Sequence, residues 1–162
     1  MRRLLLTAAL LVGIPMAARA QEVGLPLGTR PPAAAVQTLD GKPADLSQFV
    51  GTGPVFIEFW ATWCPNCKEL EPQLKAVAKK YAGKIRFVGV AVSVNQSPER
   101  VKAYVQKYAI PGTILFDKSG AATGAYDVPA TSYIVVLDRT GKVVYTGQGG
   151  DQNLDAAVRK AL

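Results

Sequence analysis

Cys64 and Cys67 are the only thiols in this chain of 162 residues, and they stand in the stretch Trp63-Cys-Pro-Asn-Cys-Lys68. Two cysteines at that spacing can form a short disulfide, supply half of a metal site, or pass electron pairs by thiol–disulfide exchange. The structural staple is the weakest of these. Closing a four-residue ring stabilises a fold by only about 2 kcal/mol, against about 3 kcal/mol for fifteen residues. A chain that is 49% hydrophobic has core enough without it. A structural zinc centre needs four ligands, and no histidine is present to complete one. Lys68 follows Cys67, which breaks the C-x-x-C-H pattern of haem attachment. Two thiolates can still hold the soft ion Cu(I), so a copper(I) chaperone or binding module remains the alternative. Otherwise no metal ligand and no cofactor is expected.

Exchange chemistry asks more of the surroundings, and the sequence supplies it. Val55-Phe-Ile-Glu-Phe-Trp60 is the pattern of a strand covered on both faces. Residues 65–82 read as a helix, with Leu70, Leu74, Val77, Ala78 and Tyr81 on one stripe, lysines in the last turn and Gly83 beyond it. Pro72 inside that helix predicts a kink. Cys64 thus falls at a helix N-terminus, where unpaired amides and the helix dipole stabilise a thiolate. Cys67, one turn on and expected to be less exposed, can displace a partner captured on Cys64. Pro65 pre-forms the first turn and removes one amide donor. Glu58 is the lone carboxylate of the dry strand; its pKa should be raised, which suits it to exchanging a proton with Cys67.

The elements that position these residues follow along the chain. Arg2 and Arg3, the apolar run from Leu4 to Ile14, Pro15 and Ala18-Arg-Ala20 read as a secretory signal over residues 1–20 cleaved after Ala20; the run is shorter than a spanning helix needs, and a retained anchor is the alternative. With no cysteine near residue 20, a lipid anchor is not expected. Residues 21–35 are rich in glycine and proline and read as a linker or extended arm, leaving 36–162 as one domain. A small hairpin is expected around Asp40-Gly41. Then come a strand over 85–92, a helix from Ser97 to Tyr108, a strand over 113–116, a hairpin of 132–137 with 142–146, and a last helix capped by Asp151 or Asn153 and running to Leu162. Loss of Arg2, Arg3 and Arg19 would take the net charge from +7 to +4. That mild excess is not interleaved with aromatics, so nucleic acid is not an expected partner.

Phe59-Trp-Ala-Thr-Trp-Cys-Pro-Asn-Cys67, Glu58 six residues before Cys64, Pro72 five after Cys67, and Val128-Pro129 ahead of the 132–137 strand together resemble the active-site pattern of the thioredoxin superfamily. More specifically, residues 36–162 are similar to exported thiol–disulfide reductases of the ResA, TlpA and CcmG type. The resemblance implies an α/β thioredoxin-like fold, a central mixed β-sheet flanked by helices, with an N-terminal hairpin and a helix–strand insertion over 93–127. It implies a protein dithiol–disulfide oxidoreductase with Cys64 and Cys67 as the redox-active disulfide and Glu58 as proton relay. A cis Pro129 would face the cysteines, and Val128 would pair with substrate backbone. Trp63, partly exposed with Pro65 and Asn66, would touch the partner, whereas Trp60 would lie in the core. From the signal segment the protein is expected to be periplasmic or otherwise extracytoplasmic, and a monomer is expected. By the same resemblance it would reduce disulfides in exported proteins with electrons from a membrane dithiol reductase, in cytochrome c maturation or metal-centre assembly. A peroxidase on this scaffold would carry Thr or Ser three residues before the reactive cysteine; Ala61 stands there instead.

Overall fold

The computed structural model describes residues 24–162; the signal segment expected over 1–20 lies outside the described residues. In chain order the elements are β1 (Ala35–Thr38), β2 (Pro43–Asp45), a 3-10 turn over Leu46–Phe49, β3 (Val55–Trp60) and α1 (Pro65–Lys80). They continue with β4 (Arg86–Val92), α2 (Pro98–Tyr108), β5 (Thr113–Asp117), α3 (Ala121–Ala125), β6 (Tyr133–Leu137), β7 (Val143–Gln148) and α4 (Leu154–Arg159).

The strands form one mixed sheet in the order β2-β1-β5-β4-β3-β6-β7. β3, β4 and β5 run parallel, joined by the helical crossovers α1 and α2, while β6 and the β1–β2 hairpin pair antiparallel to the parallel core. β3 is therefore central, and all six of its residues are buried, which is why it lacks polar alternation. Period-two geometry sorts its side chains. Val55, Ile57 and Phe59 enter one core with Val88, Val90, Tyr133 and Val135. Phe56 faces the other side, among Leu70, Leu74 and Val77 of α1 and Leu154 and Val158 of α4. Trp60 continues that second face into a third cluster with both cysteines, Ala91, Val101 and Phe116. Glu58, between Phe56 and Trp60, is thereby forced inward beneath α1.

Helix starts follow the expected chemistry. Ser97 accepts from the Arg100 amide at 3.3 Å, and of the two candidates for the last helix it is Asn153 that caps, accepting from Ala156 at 2.9 Å. Two boundaries differ. α4 ends at Arg159, short of Leu162. The turn read after Asp117 holds a further helix, α3, whose Ala-Ala-Thr-Gly-Ala sequence is too short to show a helical period. Asp117 builds it. The carboxylate is fully buried and accepts from the amides of Ala122 (3.3 Å) and Thr123 (2.8 Å) and from the Thr123 hydroxyl (2.6 Å). The segment from Gly24 is held against the domain: its amide donates to Asp127 at 3.2 Å, the Leu25 amide to the Tyr133 hydroxyl at 3.0 Å, and Gly28 and Thr29 pair with Val143.

Replacing Asp117 with alanine leaves two amide donors without their acceptor in a buried site, a loss of about 1–3 kcal/mol. Urea unfolding of Asp117→Ala is expected to show a lower midpoint at an unchanged slope.

Candidate active site

Ala61 to Cys64 carry the chain from the end of β3 onto the start of α1. Cys64 has extended backbone angles (φ −73°, ψ 117°) and is the cap residue of α1, with Pro65 at the first helical position. Its sulfur, in the place usually taken by an oxygen, accepts the Cys67 amide at 3.1 Å. Cys64 and Cys67 are joined in a disulfide, their Cα atoms 5.3 Å apart. Reduced, Cys64 would hold its negative charge against that amide and the positive end of a sixteen-residue helix, two of the environments that lower a thiol pKa.

Cys67 was expected to be the more hidden thiol. In the disulfide form Cys64 is 2% and Cys67 4% exposed, because the closed bridge packs both sulfurs into the cluster around Trp60 and Phe116. The neighbouring side chains form the exposed rim: Trp63 at 37%, with Pro65 and Asn66 also outward. The Trp63 indole is fixed by its N–H, which donates to the Val94 carbonyl at 2.7 Å.

A second clamp on this loop was not legible in the sequence. Gln96 accepts the Thr62 amide at 2.9 Å and donates to the Val92 carbonyl, tying the turn before Cys64 to the loop after β4. Its neighbour Asn95 adopts a left-handed conformation (φ 54°), tolerated by asparagine, which turns that loop back. A lone glutamine in a polar loop carries no pattern that would have revealed this.

The loop before β6 forms a wall beside Trp63. Ser132 donates its amide to the Phe59 carbonyl at 2.8 Å, which ties residues 128–131 to the end of β3. Val128, Pro129, Ala130 and Thr131 line a groove of about 310 Å³ with Trp63 and Val94. The structure corrects one expectation here: the Val128–Pro129 bond is trans, and no described peptide bond is cis. Asp127 (φ 46°) and Ser132 (φ 64°) make the reversal with left-handed backbone, so the proline keeps its lower-energy isomer.

Glu58 lies opposite Gly89 of β4 in the parallel register. Both line a small cavity of about 10 Å³ with Trp60, Leu74, Ile110 and Ile114, the lower bound of what one water needs. A side chain at Gly89 has no room, since its Cβ would sit 2.9 Å from the Trp60 indole nitrogen. That indole N–H is buried and has no hydrogen-bond partner. Burial in this apolar surround pushes the Glu58 carboxyl up to about 8, with the charge of Glu71 adding to the rise. Trp60 links the acid to the cysteines, packing with both sulfurs while lining the cavity beside Glu58. Among the described residues no group of three or more His, Cys, Asp or Glu side chains is arranged to hold a metal ion.

A buried strand–turn–helix that presents a two-cysteine redox turn, on a mixed sheet with a proline-bearing loop across from it, is the architecture of a thioredoxin-like thiol–disulfide oxidoreductase. The Redoxin family profile matches residues 26–162, and the chain belongs to that family, within its TlpA/ResA/CcmG-like branch. It is 32% identical over 124 residues to the thioredoxin-like protein YneN of Bacillus subtilis, covering 76% of this chain and 72% of that one. It is 30% identical over 129 residues to the thiol–disulfide oxidoreductase ResA of Bacillus thuringiensis, covering 80% and 73%. Among solved structures it is similar to a secreted Mycobacterium tuberculosis disulfide oxidoreductase homologous to Escherichia coli DsbE. There the identity is 26%, the TM-score 0.66 and the coverage 78% of this chain and 92% of that one.

Glu58 also sets a stability trend. Its folded pKa of about 8 lies above the ordinary glutamate value of 4.5, so between those values the folded state binds more protons than the unfolded one. Stability then falls as pH rises through that window and levels off above it. Denaturation midpoints from pH 5 to 9 are expected to fall in the parent and to flatten in Glu58→Gln; equal slopes in the two proteins would refute a buried neutral acid.

Proposed function

We propose that this protein works outside the cytoplasm as a dithiol reductant of disulfides in other exported proteins, with Cys64 attacking, Cys67 resolving and Glu58 carrying the proton. The observation that carries the reading is the Cys64 sulfur at the mouth of α1, accepting the Cys67 amide at 3.1 Å and bonded to Cys67. The Cys64 thiolate attacks one sulfur of a substrate disulfide; that bond breaks, a substrate thiolate leaves and a mixed disulfide forms. Cys67 gives its proton to the Glu58 carboxylate and attacks the Cys64 sulfur. The second substrate thiolate departs, and the Cys64–Cys67 bond closes with two electrons passed to substrate. A membrane dithiol reductase returns two electrons to the pair.

Substrate backbone lies along Val128 and Pro129, with Trp63, Pro65 and Asn66 as the opposite lip. The groove between Trp63 and residues 128–131 supports this placement. The names of the relatives support the exchange chemistry and the setting: a thiol–disulfide oxidoreductase, and a secreted disulfide oxidoreductase homologous to DsbE. Cytochrome c maturation or assembly of a metal centre is the context that fits a reductant of this type. Residues 1–20 act as the export signal, as the sequence pattern supports, and 36–162 form the working domain, along which the segment from Gly24 packs as an extended arm.

Cys64→Ser is expected to abolish reduction of insulin disulfides, and Cys67→Ser to accumulate mixed disulfides visible on non-reducing gels. Glu58→Gln should slow turnover on the order of a hundredfold while leaving the first attack intact. The reduction potential of the couple is expected near the thioredoxin value of about −270 mV rather than the oxidant range near −120 mV. A value in the latter range would reverse the direction of the reading.

A further inference from the structure

Glu58 is not the only acid on this side of the molecule. Glu71 lies four residues after Cys67 on α1, on the flank that faces α2. Its carboxylate accepts the Tyr104 hydroxyl of α2, and its side chain is only 14% exposed. Tyr104 packs its ring on Trp60 at 5.7 Å and on Tyr108 at 4.4 Å. Trp60 in turn lines the Glu58 cavity together with Leu74, one turn beyond Glu71 on α1. The two acids thus sit on either side of one aromatic wall.

From this arrangement we infer that Glu71, held in place by the Tyr104 hydroxyl, is a positioning residue that holds a carboxylate behind the Trp60 wall of the Glu58 cavity and so tunes the base that serves Cys67. The inference rests on the proton-carrier reading of Glu58 proposed above. Without Glu71 the buried acid would lose its proton at lower pH and take the Cys67 proton less readily, although desolvation would still make it a weaker acid than a surface carboxylate.

The charged and titratable groups around Glu71 are few, which makes the effect legible. On α1, exposed Lys68 stands three residues before Glu71, and Lys75 approaches to 3.8 Å but is itself 41% exposed, so the two neutralise Glu71 only in part. On α2, Tyr104 donates to it, and Tyr108 lies behind with Lys107 above its ring at 5.2 Å. On β3 there is Glu58 alone. The residues that β4 and β5 bring to the cavity, Val88, Gly89 and Ile114, carry no charge.

The test is a direct titration of the Glu58 side-chain carbon by NMR in protein labelled with 13C-glutamate, oxidised form, alongside the pH profile of insulin reduction. Glu71→Gln is expected to lower the Glu58 midpoint by about 0.5–1.5 pH units, the order of a like charge several ångström away in partly screened surroundings. Tyr104→Phe, which frees Glu71 to swing outward, is expected to lower it in the same direction by less. Lys75→Met, exposed and outside the redox machinery, is expected to raise it. Opposite signs for Glu71→Gln and Lys75→Met cannot come from a general loosening of the fold. A Glu58 midpoint unmoved in all three variants overturns the inference. If the midpoints move as expected but Glu58→Gln turns over insulin like the parent, the coupling stands as a physical fact and the proton-carrier reading of Glu58 fails instead.

Discussion

Helix α1 begins on a sulfur. Where most helices satisfy their first amides with a serine, aspartate or asparagine oxygen, this one uses the Cys64 side chain, so the group that stabilises the helix start and the group that reacts are the same atom. The rest of the architecture keeps that atom in place. Buried β3 fixes the direction of approach, Pro65 sets the first turn, and Gln96 and Trp63 anchor the preceding residues to the loop after β4. The Ser132 amide ties the opposite wall to the last turn of the same strand. An amide donor near a thiolate contributes most where water is excluded, and the burial of Cys64 in the Trp60 cluster provides that exclusion.

Much of this was legible in the sequence for identifiable reasons. β3 is six buried residues in a row and its pattern has no competing reading; the observed limits, Val55–Trp60, are those of the apolar run. α1 has a full stripe, a first-turn proline and a terminal glycine, and it starts at Pro65 as expected even with Pro72 inside it. The hairpins follow from Asp40-Gly41 and from Asp138 to Gly141, with Gly41 and Gly141 at φ 80° and 82°, where glycine is favoured. Glu58 was conspicuous because it is one charge among apolar neighbours.

What escaped the sequence depends on contacts between distant segments. α3 owes its existence to a buried carboxylate that precedes it by four residues, and five residues offer no periodicity. Gln96 acts through amides thirty-four residues away, and Tyr104 meets Glu71 across thirty-three. Neither belongs to a local pattern. The expected cis bond at Pro129 failed for a different reason. A proline before a strand is compatible with either isomer, and here Asp127 and Ser132 absorb the reversal that a cis bond would otherwise have made.

The arm that starts at Gly24 has its own spatial meaning. Its first amide is fastened to Asp127 and its second to the Tyr133 hydroxyl, and these two residues bracket the proline-bearing loop. The polypeptide therefore enters the domain at the rear of the groove wall formed by residues 128–131, not at the far end of the sheet. Any tether, purification handle or fused domain joined upstream begins its path within a few residues of the groove proposed to take substrate, so its length and bulk would bear directly on how large a partner that groove could admit.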